Sequence, residues 1–196
     1  MPPKPKFTRE ELVDAALEIV SRGGLEALTA RKLGETLSSS ARPIFTVFRN
    51  MEELQGEVRA AAMRRFESYA GTSTADVPLF KQVGMQMIRF GIQEPKLYQL
   101  LFMQECQDAA GFDELFGALG TTAGACIDTI QKDYRLDAAQ ARTLFEHMWI
   151  YTFGVGTLCA TRACRFSEAQ LSQMLTTQFQ AILQAILSAS TIKKEV

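Results

Sequence analysis

The chain is poor in the groups that metal and nucleophile chemistry draws on. It has one histidine, His147, and four cysteines, Cys106, Cys126, Cys159 and Cys164. No two cysteines stand in a CxxC spacing. Cys159 and Cys164 are five apart, roughly opposite on a helix, so a shared metal is not expected. Four unpatterned thiols fit a reduced, cytoplasmic chain. HExxH, a Walker loop and GxGxxG are all missing. A Ser-His-Asp set would have to use His147, which lies among Phe145, Met148 and Trp149 and is expected to be a packed side chain. No enzyme activity, catalytic residue, metal or cofactor is therefore expected. No apolar run approaches the 18 residues of a membrane span, and no signal-peptide core stands near Met1, so no membrane partner is expected. Hairpin signals of the NG or DG type are absent too, and nothing reads as a strand.

What is present is helical and apolar. The 196 residues are 47% hydrophobic and 22% charged, enough for one large domain or two small ones. Net charge is −1, which excludes a broad nucleic-acid coat. Basic residues nonetheless cluster locally. Lys4, Lys6 and Arg9 are read as preceding the first helix, and Arg31, Lys32, Arg42 and Arg49 fall in or beside the stretch from Thr29 to Phe48. A few such points are sufficient to meet phosphates.

That stretch organises the chain. A short helix is expected from Ala30 to Thr36 with Thr29 as N-cap, then a turn at Ser38-Ser39-Ser40, then a second helix from about Ala41 to Val47. Serine hydroxyls compete with the helical backbone and then cap the next helix. Pro43 is tolerated in a first turn. Ile44, Val47 and Phe48 give that helix an inward face. Helix, tight turn, helix is the helix-turn-helix arrangement, whose second member can lie in the DNA major groove.

Around it, Thr8-x-x-Glu11 is a capping box opening a helix with Leu12, Ala15, Ala16 and Ile19 inward and Gly23-Gly24 as its stop. Asn50-x-x-Glu53 opens a helix carrying Leu54, Val58, Ala61, Ala62, Phe66 and Tyr69. Gly71 to Asp76 reads as a boundary. Beyond it come an enclosed helix through Met87 and Phe90, a break at Pro95, and a short helix around Phe112, Leu115, Phe116 and Leu119. A further helix ends at Tyr134. Two long helices come last, opened by the cap signatures Asp137-x-x-Gln140 and Ser167-x-x-Gln170. On the first of these, Trp149, Ile150 and Phe153 are expected to point away from the main apolar side. The fold expected is all-α, with about nine helices.

Residues 8 to 54 resemble the N-terminal domain of the TetR/AcrR transcriptional repressors. The likeness runs through Thr8-Arg9-Glu10, the Leu12…Ala15-Ala16 stripe, Gly23, Leu28-Thr29, Leu33, Ser40, Ile44-Phe45-x-Val47-Phe48 and Glu53-Leu54. The chain departs from the family pattern at Leu37-Ser38-Ser39-Ser40, at Phe45-Thr46-Val47-Phe48, and at Met51, where lysine is common. Trp149-x-x-x-x-Gly154 is similar over about ten residues to the Trp…His-Gly stretch of one C-terminal class in that family, with Phe153 in the histidine's place. The resemblance implies a DNA-binding domain at 1–50 (arm 1–7), a connecting helix at 51–71, and a ligand-binding and dimerisation domain at 72–196.

Ser39, Ser40, Ala41, Arg42, Pro43, Phe45 and Thr46 occupy the reading turn. Arg42 is the one able to make a bidentate contact to guanine. Ala41, Pro43 and Phe45 suit a thymine methyl, with helix initiation the alternative for the first two and core packing for Phe45. Ser39, Ser40, Thr46 and Thr29 suit phosphates, as do Arg31, Arg49, the helix start at Met51, and the arm lysines Lys4 and Lys6. One such domain makes too few contacts for a genomic address, so a two-fold dimer on double-stranded operator DNA is expected. Its interface is expected on the last two helices, at Met148, Thr152, Val155, Gly156, Cys159, Leu171, Leu175, Gln178, Ile182 and Ile186. An apolar chamber for an unknown small-molecule effector is expected at Met63, Phe66, Met87, Phe90, Leu101, Phe102, Met103, Trp149 and Phe153, though each is also an ordinary core residue. The resemblance implies a repressor that the effector releases from DNA. The rival reading is a helical small-molecule-binding or redox-sensing protein with a vestigial DNA head.

Overall fold

The computed structural model describes residues 6–69, 78–104, 111 and 121–192. Among them no strand occurs. Eight α-helices are found: α1 Arg9–Gly23, α2 Ala30–Thr36, α3 Met51–Ser68, α4 Leu79–Gln93, α5 Pro95–Phe102, α6 Thr121–Tyr134, α7 Ala138–Ala160 and α8 Glu168–Ile192. Two 3-10 segments, Leu25–Ala27 and Arg42–Thr46, complete the regular structure. The all-α class is as expected. The helix expected around Phe112 to Leu119, the boundary at Gly71 to Asp76, and Lys4 lie outside the described residues.

The chain divides into two compact units. Unit one comprises Met1–Gly71 with Phe90–Gln104, and unit two comprises Thr72–Arg89 with Glu105–Val196.

In unit one, α1 opens with the full capping box. The Thr8 hydroxyl accepts from the Glu11 amide, and the Glu11 carboxylate accepts from the Thr8 amide at 2.8 Å. Leu12, Val13, Ala16, Ile19 and Val20 are buried. Gly24 ends the helix at φ 80°, a conformation a side chain rarely adopts. α1 packs on α3 and α5. Charge then ties the pieces at the surface. Arg9 donates to Glu53 and Glu57 of α3, each at 2.9 Å, while its guanidinium lies 4.4 Å from the centroid of the buried Phe48 ring. Arg65 donates to Glu18 of α1 at 3.1 Å and to Glu94, which precedes α5. Arg59 donates to the Leu100 carbonyl at 3.0 Å.

Unit two is built around the two longest helices, α7 and α8. α7 packs on both α6 and α8. Its first turn carries the expected capping box between Asp137 and Gln140, and Ser167 caps α8 through the Gln170 amide. Leu144, Phe145, Met148 and Thr152 of α7 are buried, as is Met87 of α4. Gly84 lets α4 approach closely, since a Cβ there would stand 3.4 Å from Thr152 Oγ1 and 3.5 Å from Leu175. Arg89 is ion-paired with Glu168, tying α4 to the start of α8.

Three details differ from expectation. Trp149 belongs to the buried face of α7, whereas His147 is exposed and not packed. The cause is helical phase: residue 147 falls between the inward positions 145 and 148 on the turn facing solvent. Cys164 does not share the helix of Cys159, because α7 ends at Ala160.

Candidate nucleic-acid interface

The reading turn is set by three local devices. The Thr29 hydroxyl accepts from the Lys32 amide at 3.1 Å and fixes the start of α2. Leu37 closes α2, and Ser38 turns the chain with φ 50°, a left-handed conformation held by a serine. The chain then folds back against α2 at Gly34, where a Cβ would meet the Ser40 carbonyl carbon at 2.9 Å, Ser39 O at 3.0 Å and Ala41 N at 3.1 Å. Only glycine allows that approach. Apolar periodicity does not single out Gly34. Its signal is that of the one residue without a side chain on an otherwise periodic helix.

The second element is a 3-10 segment, Arg42–Thr46, where an α-helix from about Ala41 to Val47 was expected. Pro43 supplies no N–H, and the stretch between Ser40 and Phe48 is too short to build a run of α-type bonds. The bonds that form are the 3-10 type Ile44 N to Ala41 O at 3.2 Å and Val47 N to Ile44 O at 3.1 Å, with a single α-type bond, Phe48 N to Ile44 O at 2.9 Å, at the end. Ile44 and Phe48 are each 1% exposed and anchor the segment, with Val47 half-buried beside them. Arg42 and Thr46 stand outward, and Phe45 is 47% exposed, which removes core packing as its role.

Other candidates have their polar atoms already engaged. Lys6 Nζ donates to Ser39 Oγ at 3.0 Å, so the arm meets the reading turn. Thr46 Oγ1 donates to the Pro43 carbonyl at 2.6 Å, which uses its proton inside the segment. Arg31 pairs with Glu35 one turn on, at 2.9 Å, with its side chain 90% exposed. Ser40 and Arg49 are exposed, and Ala41 and Pro43 half-buried. The helix start at Met51 is occupied otherwise. Asn50 Oδ1 accepts from the Glu53 amide, and Glu53 accepts from the Arg49 amide, both at 2.8 Å. The Arg49 amide, and after it the Arg9 guanidinium, hold the Glu53 carboxyl below its ordinary range. With Glu52 and Glu53 in its first turn, this start already carries negative charge.

The expected dimer residues are mostly interior. Met148, Thr152, Val155, Gly156, Cys159, Leu171 and Leu175 are buried within the single chain, while Gln178, Ile182 and Ile186 are half-buried. The pattern was sound as an apolar face, but that face closes the chain's own core. The exposed large apolar residues of α7 are Ile150, 53% exposed, and Leu158, 41% exposed, with the exposed Gly154 between them one turn from each.

The nine expected effector residues fall in both units. Phe66, Phe90 and Phe102 meet edge to face in unit one, with Phe66 at 5.3 Å from each of the others. Met63, Leu101 and Met103 also belong to unit one, and Met87, Trp149 and Phe153 to unit two. A cavity of about 370 Å³ does open in unit two, between the start of α4, the end of α6 and the middle of α8. Phe80, Lys81, Ile130, Tyr134, Leu175 and Phe179 wall it, and none of the nine lines it. Burial pushes the Cys126 thiol up to about 11 and raises that of Cys159, which disfavours the thiolate that redox sensing needs.

Among the described residues no helix is long and apolar enough to cross a membrane, and no group of His, Cys, Asp and Glu is placed to hold a metal. No protein-family model matches the sequence, and no curated protein does. Solved structures do match. A transcriptional regulator from Rhodococcus sp. Rha1 has a TM-score of 0.62 at 13% identity, over 91% of this chain and 97% of its own. A variant of TetR from Acinetobacter baumannii AYE, solved in complex with minocycline, scores 0.54 at 16% identity, over 95% and 98%. The fatty acid degradation regulator FadR from Bacillus halodurans scores 0.55 at 14% identity, over 93% and 97%. The chain therefore has the all-helical fold of TetR-type regulators.

Proposed function

We propose that the protein is a DNA-binding transcriptional regulator of the TetR type, a homodimer and a repressor that a small, mainly apolar effector releases from its operator. The observation that carries this is the reading turn. Arg42 stands outward on a short segment whose inner side is pinned by Ile44 and Phe48, so its fork can meet a guanine edge. The fold shared with known regulators supports the reading.

Unit one supplies DNA reading, with Arg42 and Phe45 toward the groove and Ser39, Ser40, Lys6, Arg31 and Arg49 toward phosphates. Unit two supplies effector binding and pairing. The pairing surface is the outward stripe Ile150, Gly154 and Leu158. Gly154 suits close approach, since a Cβ there would meet nothing within 4 Å. An Ile150→Glu, Leu158→Glu double variant should sediment as a monomer at micromolar concentration, where the parent sediments as a dimer.

The test of the whole is selection of bound duplexes from a random pool, followed by titration of the winner. A two-fold sequence should emerge with half-sites about 34–36 Å apart or a multiple of it. Arg42→Ala should weaken binding to it about tenfold to a hundredfold, with a smaller loss on random duplex. Equal losses on both would remove Arg42 from base reading, and an unselected pool would end the proposal.

A further inference from the structure

We propose that the cavity in unit two binds a small aromatic acid, its ring against Phe80, Tyr134 and Phe179 and its carboxylate on Lys81. The volume, about 370 Å³, lies in the range of small-molecule sites. The three rings come from three helices. Phe179 stands with its centroid 5.5 Å from Phe80 and 4.9 Å from Tyr134, at interplanar angles of 35° and 56°. Such a cluster offers both faces and edges, so a flat guest gains offset or edge-on contacts beyond simple burial.

The cation selects the charge of the guest. Lys81 is half-buried, and its Nζ donates to Thr176 Oγ1 at 2.9 Å across the cavity wall. The Thr176 proton is turned away, to the Ser172 carbonyl at 2.8 Å, which leaves its oxygen free to accept from the ammonium. One hydroxyl uses one of three donors. Among the described residues no carboxylate lies within ion-pair distance of Lys81. An ammonium drawn partly out of water without a counter-charge favours an anion beside it. Asp133 also lines the cavity, but it is exposed and its field is screened by solvent. It defines the competing occupant, an aromatic cation.

Binding at this cavity stands by itself. Its regulatory consequence rests on reading the protein as an effector-released repressor, and the two are separated by measuring them separately. Calorimetry on the full chain would compare 2-naphthoate, 2-naphthamide and 2-naphthylmethylamine. The acid should bind at least about tenfold tighter than the amide. Lys81→Met should bring the acid down to the level of the amide and leave the amide unchanged, Lys81→Arg should retain the preference, and Phe179→Ala should weaken both, all with parental helicity by circular dichroism. Preference for the amine, insensitivity to Lys81→Met, or no binding of any of the three at millimolar concentration would overturn the site. Anisotropy on the selected duplex completes the test. Release of DNA by the acid from the parent and not from Lys81→Met would make this the effector site. Acid binding that leaves DNA affinity unchanged would keep the site and overturn its effector role.

Discussion

Unit one and unit two solve the same problem, fixing helices on one another, with different means. Unit one caps α1, α2 and α3 with the side chains of Thr8, Thr29 and Asn50, and ties its elements with charge. Arg9 bridges α1 to α3, Arg65 reaches both Glu18 and Glu94, and Arg59 holds the Leu100 carbonyl. Unit two relies on the apolar faces of α4, α6, α7 and α8, and between its described helices one ion pair, Arg89 with Glu168, is present. Exposed ion pairs such as those of Arg9 are each worth only about 0–1 kcal/mol, so they add little to stability, while the Arg65–Glu94 and Arg59–Leu100 ties are partly buried. They add geometry. A reading turn must present Arg42 in one place, whereas a cavity must admit a guest. The contrast teaches that charged ties between elements here accompany the need for position, and apolar breadth the need for room.

The strongest way to break the comparison is to empty each core. Phe48→Ala and Phe145→Ala both remove a ring that is nearly fully buried, 1% and 2% exposed. Each should cost about 3–5 kcal/mol in urea denaturation. Phe48 also carries the Arg9 guanidinium on its face and pins the reading turn. Its loss should abolish selective DNA binding under conditions where helicity persists, and Phe145→Ala should not. Equal effects on DNA binding would show that position is not confined to unit one.

A subtler wedge is Gly34→Ala. Three backbone atoms lie within 3.1 Å of the new methyl, so the turn carrying Ser39, Ser40 and Ala41 must move. The expected cost is about 1–3 kcal/mol in denaturant. Affinity for the selected duplex should fall further than on an Arg42→Lys variant that keeps the turn in place. Unchanged affinity would mean that the turn tolerates displacement.

Much of this was legible in the residues and some was not. Caps are local, so Thr8, Thr29, Asp137 and Ser167 announced their helices and were found there. Apolar periodicity located the long helices of unit two, but it reports only that a face is buried, not what buries it. For that reason Met148, Val155 and Leu171 read as a surface for a second copy when they close the chain's own core. The same ambiguity scattered the expected effector residues, since an aromatic in a core and one in a cavity look alike in sequence. The cavity wall became visible only when Phe80, Tyr134 and Phe179, far apart along the chain, were brought together.

The charge network of unit one can be probed by acid. Glu53 is held below its ordinary value of 4.5 by the Arg49 amide and then by Arg9. A carboxyl lowered on folding contributes stability above its unfolded value, and that contribution is lost as pH falls through the folded one. The parent should therefore lose stability progressively from about pH 5 downward. Glu53→Gln should be less stable than the parent at neutral pH and lose less below pH 4.5. Parallel stability curves for the two proteins across that range would show that the carboxylate is not linked to folding. Because the group is solvent-exposed, the difference should shrink in high salt.

The smallest effect is expected at Ser38. Its φ of 50° places a side chain where glycine is at ease and serine is crowded against its own backbone. Ser38→Gly removes that crowding and at the same time frees the unfolded chain, two contributions of opposite sign. The net should fall within about 1 kcal/mol of zero in thermal melting, and DNA affinity should hold, because the turn keeps its path and Gly34 still receives it. Ser38→Val tests the same conformation from the other side. A β-branched residue is poorly suited to positive φ, so it should cost more than the glycine variant saves or loses. A valine variant as stable as the parent would mean that the turn can leave the left-handed conformation, and that the precision assigned to unit one rests on Gly34 and the buried anchors alone.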